Sequence, residues 1–255
     1  MADATARLRA AGCVFAEDEA AVLGASAIGE DELSALVGRR AAGEPLEQVV
    51  GYADFCDVRI SLRPGVFVPR IRSSLLVRLA AEEAGRTAAP VVVDLCCGSG
   101  ALGAAVAQRV PAVVLHAADL DPVAVACARD NLAGVGTVHQ GDLYAALPAE
   151  LRGRVDVLLA NVPYVPTGHL PLLPAEARLH EAPMALDGGD DGLEVFRAVA
   201  ATAVEWLAPG GVLLSECTAA QAEAATDALR AGGLRAETWY DDDVESTAVV
   251  GSRSV

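Results

Sequence analysis

Val91-Val92-Val93-Asp94-Leu95-Cys96-Cys97-Gly98-Ser99-Gly100 is a continuous apolar run that closes on a glycine-rich turn, and residues 101–109 after it have helical composition. The first five residues read as a strand buried on both faces. Gly98 and Gly100 let the backbone bend sharply and approach a ligand at the N-terminus of the next helix. With Gly103 the run satisfies G-x-G-x-x-G, and Asp119 follows about 20 residues on, where a ribose-binding acid belongs. A dinucleotide is therefore one candidate ligand. Asp94 argues against it, because a carboxylate at the strand end suits an ammonium or sulfonium and repels a pyrophosphate. The two cysteines also loosen a turn that a dinucleotide site keeps tight. The ligand that fits is S-adenosylmethionine (SAM), with its cationic end near Asp94, the backbone of Gly98-Ser99-Gly100 alongside, the ribose on Asp119 and the adenine near Asp142-Leu143.

Outward from this stretch, strand and helix patterns alternate. Residues 113–118, 137–140, 155–160 and 211–216 read as strands, and 122–132, 192–207 and 219–231 as helices. Asp121 is placed to cap the helix that Pro122 opens. Residues 234–240 and 246–251 read as a closing antiparallel pair. The alternation predicts a mainly parallel α/β sheet covered on both faces. Residues 165–190 form a proline-studded loop of a length that usually carries function. Upstream, residues 73–84 read as a helix, with Ser73 or Ser74 as its cap. Residues 51–68 read as a β-hairpin turning at Arg63-Pro64-Gly65, and 3–11, 17–25 and 31–42 as short helices. The expected division is a helical N-terminal domain over 1–45, a hairpin linker over 46–72 and the sheet domain over 73–255.

Asn161-Val162-Pro163-Tyr164 leaves the strand 155–160 at its carboxyl end, where open α/β sheets place their chemistry. An Asn carbonyl, backbone carbonyls and a flat aromatic ring can together hold a planar nitrogen group. The same residues also suit an ordinary turn.

Lys and Arg number 19 against 35 Asp and Glu, a formal net charge of −16. Such a surface disfavours a nucleic-acid partner. Cys13, Cys56, Cys96, Cys97, Cys127 and Cys217 form no Cys-x-x-Cys pair, so no metal site is expected. Neither a secretory leader pattern nor a long uncharged apolar span is evident, and the expected setting is the cytoplasm, away from membranes.

Asp-Leu-x-x-Gly-Ser-Gly, Ala-Asp-Leu-Asp-Pro, Gly-Asp-Leu and Asn-x-Pro-Tyr together resemble the class I SAM-dependent methyltransferases that act on planar nitrogen. Within that class the chain is similar to the release-factor glutamine methyltransferases of the HemK type. Glu44-Pro45-Leu46, the run Pro64 to Arg70, Glu181, Ala185 to Gly189, Asp191-Gly192-Leu193, Leu207 to Gly211, Glu216 and Gln221 carry that likeness. It implies a Rossmann-like sheet, a helical N-terminal domain that helps receive a protein substrate, and transfer from SAM to a glutamine amide, leaving S-adenosylhomocysteine. The implied cofactor residues are Asp94, Cys96, Gly98, Ser99, Gly100, Asp119, Leu120, Asp142, Leu143 and Asn161. Asn161, Val162, Pro163 and Tyr164 are the implied catalytic turn, and Pro69, Arg70 and Glu181 lie on the substrate side.

Three departures from that family's pattern fall on the substrate side. Val162 replaces a proline, Pro69-Arg70-Ile71-Arg72-Ser73-Ser74 stands for Pro-Arg-Pro-x-Thr-Glu, and Ala182 separates Glu181 from Pro183. A small molecule or peptide, or an exocyclic base amine, is the alternative acceptor, and a cofactor-binding module without activity is the non-enzymatic one. On the enzymatic reading, Asn161 Oδ1 and the Val162 carbonyl accept the two amide N–H protons while Tyr164 packs on the amide plane. His169 and His180, in the long loop, are candidates to remove the product proton. A monomer is expected.

Overall fold

The computed structural model describes residues 1–255. Seven strands form one sheet: β3 (Val91–Leu95), β4 (Val114–Asp119), β5 (Gly136–Gln140), β6 (Val155–Ala160), β7 (Leu207–Cys217), β8 (Arg235–Asp241) and β9 (Ser246–Ser252). Their order is β5-β4-β3-β6-β7-β9-β8. The first five are parallel, and β9 runs antiparallel to both β7 and β8. The chain winds from β3 outward through β4 to β5, then returns to lay β6 on the other side of β3. Strand order reverses there, and such reversals open a crevice beyond the carboxyl ends of the strands. Leu95 pairs with Ala160 across that reversal, so the glycine turn and Asn161 emerge side by side.

Alternation along β3 builds both layers. Val92 enters a core with Leu75, Leu76 and Leu79 of α5 (Ser74–Ala84) and Leu102 of α6 (Ala101–Arg109). Val93 and Leu95 enter the opposite core with Phe196 and Val199 of α9 (Glu194–Trp206) and Leu229 of α10 (Ala222–Ala231). Each such fully buried aliphatic side chain contributes about 1.5–3 kcal/mol relative to exposure. The helix after β4, α7 (Pro122–Asn131), starts as expected: Asp121 Oδ1 accepts from the Val123 N–H at 2.8 Å.

Three helices, α1 (Ala2–Ala10), α2 (Ala16–Ser26) and α3 (Glu30–Ala41), share a core of their own that includes Leu8, Leu23 and Val37. Seven buried residues make that core small, so the module leans on the sheet domain. Arg40, buried, donates from Nε to Glu19 Oε2 and from Nη1 to Glu176 Oε1, both at 2.7 Å. Glu176 belongs to α8 (Ala175–His180), a short helix inside the long loop. Gln48 of α4 (Leu46–Val50) donates from Nε2 to the Val66 and His180 carbonyls, each at 3.1 Å.

The linker differs from expectation. The hairpin is shorter, β1 (Tyr52–Phe55) against β2 (Val58–Ser61), and it turns at Cys56-Asp57 rather than at 63–65. Both turn residues take left-handed backbone, φ 51° and 69°, the conformation that suits a two-residue hairpin. Gly65 instead bridges to Glu181, docking the segment on the long loop. Neither serine caps α5 through its side chain, because the Ser73 hydroxyl is drawn into the active-site crevice.

Candidate active site

A cavity of about 860 Å³ fills the crevice. Gly98, Ser99, Asp119 and Asp142 line one side, and Asn161 and Tyr164 the other. The glycine turn follows a left-handed path at Cys96 (φ 55°), Gly98 (φ 55°) and Gly100 (φ 77°). At Gly98 a side chain would meet no atom within 4 Å, so the absent Cβ leaves room open to a ligand. Asp119 pins the turn from below. Its Oδ2 accepts the Gly98 N–H at 2.8 Å and its Oδ1 the Asp121 N–H at 2.9 Å. A carboxylate offers about four lone-pair positions, so two remain for a ligand diol. Burial raises the Asp119 pKa above its ordinary value, with backbone donors working against that shift. Cys96, Leu120 and Leu143 also line the cavity. Burial pushes the Cys96 thiol up to about 12, which keeps it neutral and unreactive.

Asp94 is the exception among the expected cofactor residues. It is 1% exposed, is not part of the cavity wall, and Oδ2 accepts the Gly103 N–H at 3.0 Å. Its side chain follows Val92 onto the α6 face, where it braces the first turns of that helix. Burial raises its pKa to about 7. A carboxyl whose pKa is higher folded than unfolded binds more protons in the native state. Its contribution to stability is therefore lost as pH rises from about 4 to about 7. Urea unfolding of Asp94→Asn should show a flatter decline over that window than the wild type. Equal slopes would mean that Asp94 ionises as freely as in the unfolded chain.

The other wall is built around Asn161. Its Nδ2 donates to Ser73 Oγ at 3.3 Å, and its Oδ1 is buried without a partner. Ser73 Oγ donates to Glu216 Oε2 at 2.7 Å. Glu216 Oε1 accepts from Arg72 Nε at 2.8 Å and from the Tyr164 hydroxyl. Burial, then the neighbouring Glu216 carboxylate, pushes the Tyr164 phenol above its usual range, so it stays protonated. Val162 turns its side chain into the core, 2% exposed, so its role at the turn falls to its backbone. Gly188 packs beneath Pro163: a Cβ there would sit 2.7 Å from the Pro163 carbonyl oxygen.

On the substrate side, Arg70 Nη2 donates to Glu181 Oε1 at 2.6 Å, and the Val68 N–H reaches the same oxygen at 3.2 Å. Glu181 Oε2 is buried and unpartnered, and burial lifts the carboxyl pKa despite Arg70. Pro69, Arg70 and Glu181 all line the cavity, whereas His169 and His180 do not. Sequence reasoning missed Arg72, Ser73 and Glu216 as one cluster around Asn161. The available signal was that Glu216 ends an apolar strand neighbouring the one that ends at Asn161.

The Methyltransferase small domain family matches residues 57–190. A 4-amino-L-phenylalanine/4-methylamino-L-phenylalanine methyltransferase of Streptomyces pristinaespiralis is 41% identical over 203 residues, 77% of this chain and 69% of that protein. A release factor glutamine methyltransferase of Streptomyces coelicolor is 40% identical over 184 residues, 71% of this chain and 65% of that protein. Among solved structures, a ribosomal protein L11 methylase from Lactobacillus delbrueckii subsp. bulgaricus superposes with a TM-score of 0.55 at 18% identity. That match covers 77% of this chain and 86% of that one, a likeness of fold.

Proposed function

The chain belongs to the HemK-type class I methyltransferases, within the Methyltransferase small domain family, and from that premise we propose that it methylates the side-chain amide nitrogen of a protein glutamine, with SAM as donor. The observation that carries this reading is the buried, unpartnered Oδ1 of Asn161, a residue that lines the same cavity as the adjacent glycine turn. A buried polar atom without a partner costs about 1–3 kcal/mol. An acceptor N–H supplies the missing partner, and the Val162 carbonyl is the neighbouring acceptor for the second.

The residues fit the donor. Gly98 leaves open space, Asp119 keeps free lone pairs for a ribose diol, and Asp142-Leu143 bounds the adenine end. SAM, when bound, supplies a methyl group on a sulfonium. The protein's share is positioning. An amide lone pair is delocalised into its carbonyl, and two acceptors on its N–H groups favour the pyramidal nitrogen that can attack. Those hydrogen bonds strengthen as positive charge grows on nitrogen. Tyr164 stays neutral and holds one wall of the site through Glu216. The product proton leaves to solvent, and neither loop histidine is in the cavity wall to take it.

A peptide chain release factor is the substrate that the Streptomyces coelicolor relative's activity points to. No helix is long and apolar enough to cross a membrane, and a translation factor would be met in the cytoplasm. The Streptomyces pristinaespiralis relative favours a second reading, an aromatic amine on a free amino acid. Arg72, half-exposed on the cavity wall beside Tyr164, is a cation placed to meet such an acceptor's carboxylate. The test is transfer of labelled methyl from SAM to a release factor, to a Gly-Gly-Gln peptide and to 4-amino-L-phenylalanine. The expected result is label on the glutamine of the first two, and label on the amino acid alone would establish the second reading.

A further inference from the structure

Everything around Asn161 runs in one hydrogen-bonding direction. Glu216 receives three donors on its two oxygens: Arg72 Nε at 2.8 Å and the Tyr164 hydroxyl on Oε1, and the Ser73 hydroxyl at 2.7 Å on Oε2. An ionised carboxylate accepts only. Ser73 has a single hydroxyl hydrogen, and Glu216 takes it. What Ser73 turns toward Asn161 is therefore a lone pair, and the Asn161 group that meets it must be the NH2, as the 3.3 Å contact shows. The Asn161 carbonyl is then left without a protein partner, its Oδ1 buried on a residue that lines the cavity. With the amide turned over, Oδ1 would oppose Ser73 Oγ, two acceptors face to face. Ser73 and Glu216 are 1% and 3% exposed, so water cannot readily enter to mediate between them.

We propose that Ser73 and Glu216 are positioning residues that fix which end of the Asn161 amide faces the acceptor, and so make the site select a primary amide over a carboxylate. This rests on the glutamine reading above for the identity of the acceptor, although the orientation of Asn161 does not. Where the reacting nitrogen sits, two acceptors, Asn161 Oδ1 and the Val162 carbonyl, welcome the two N–H groups of glutamine. They reject glutamate, which has the same shape and no hydrogen to give at neutral pH.

The experiment compares the full chain with Ser73→Ala and Ser73→Thr by two measurements. The first is hydrogen exchange of the Asn161 side-chain NH2, followed by nitrogen-15 NMR and needing no acceptor. Its protons should be protected in the wild type, lose that protection in Ser73→Ala and regain it in Ser73→Thr. The second is affinity for a Gly-Gly-Gln peptide and for its Gly-Gly-Glu counterpart, with S-adenosylhomocysteine present. The wild type should prefer the amide by at least about tenfold, the equivalent of leaving one buried acceptor without its donor. In Ser73→Ala, where Asn161 is free to turn over, the preference should collapse toward one while SAM affinity is unmoved, and Ser73→Thr should restore it. Unchanged NH2 protection, or an unchanged preference, in Ser73→Ala would overturn the proposal. If protection is lost in Ser73→Ala but the wild type methylates no amide, the glutamine reading fails and the orienting role of Ser73 stands.

Discussion

Asn161→Ala should lower kcat by about 10²–10³-fold, the range seen when one preorganised polar contact to a developing charge is removed. SAM affinity should hardly change, because the glycine turn after β3 and Asp119 at the end of β4 make no hydrogen bond to Asn161. The loss should fall on the chemical step, so single-turnover transfer is the measurement. If labelled methyl moves at the wild-type rate in that variant, Asn161 does not hold the acceptor. Asn161→Asp is the informative partner. It keeps an acceptor toward the cavity but turns a second acceptor on Ser73 Oγ, whose hydrogen already belongs to Glu216. That variant should also be slow, which separates orientation from the mere presence of an oxygen.

Asp119→Ala should weaken SAM binding by about 10- to 150-fold, the equivalent of about 1.5–3 kcal/mol for charge-assisted hydrogen bonds. Two losses combine there. The carboxylate no longer meets the ligand diol, and the Gly98 and Asp121 N–H groups lose their acceptor, so the turn that must lie along the ligand is released. Asp119→Asn keeps one acceptor and should fall between the two. Titration calorimetry with SAM is the check. An unaltered dissociation constant would place the nucleoside elsewhere in the cavity.

The sheet was legible because its strands are short apolar runs closed by Gly, Asp or Asn, and period alone separates them from the helices between. The turn at Cys56-Asp57 was not, since neither residue is the Gly or Asn that usually marks left-handed backbone, while Arg63-Pro64-Gly65 carries the stronger turn chemistry. Asp94 lies deeper than its position in the sequence suggests. Its place at the strand end was right, but it shares parity with Val92, which sends the carboxylate under α6 rather than into the crevice. Ser73 illustrates the hardest case. A serine ahead of a helix reads as a cap, and its true partner lies 143 residues away in sequence. The tetrapeptide and Asp119 could be found because each carries its chemistry locally. The Ser73–Glu216 chain could not, because the β6–β7 pairing and the packing of α5 over both strands are what bring its members together.

The ties that Arg40 makes to Glu176, and Gln48 to the His180 carbonyl, have a practical consequence for anyone building chimeras. The helical module and the strip from 174 to 182 are wired to each other across the mouth of the crevice. Grafting a foreign module alone would take Arg40 away and leave Glu176 without the cation it meets. A swap that redirects the enzyme to a new protein target must carry both pieces as one cassette.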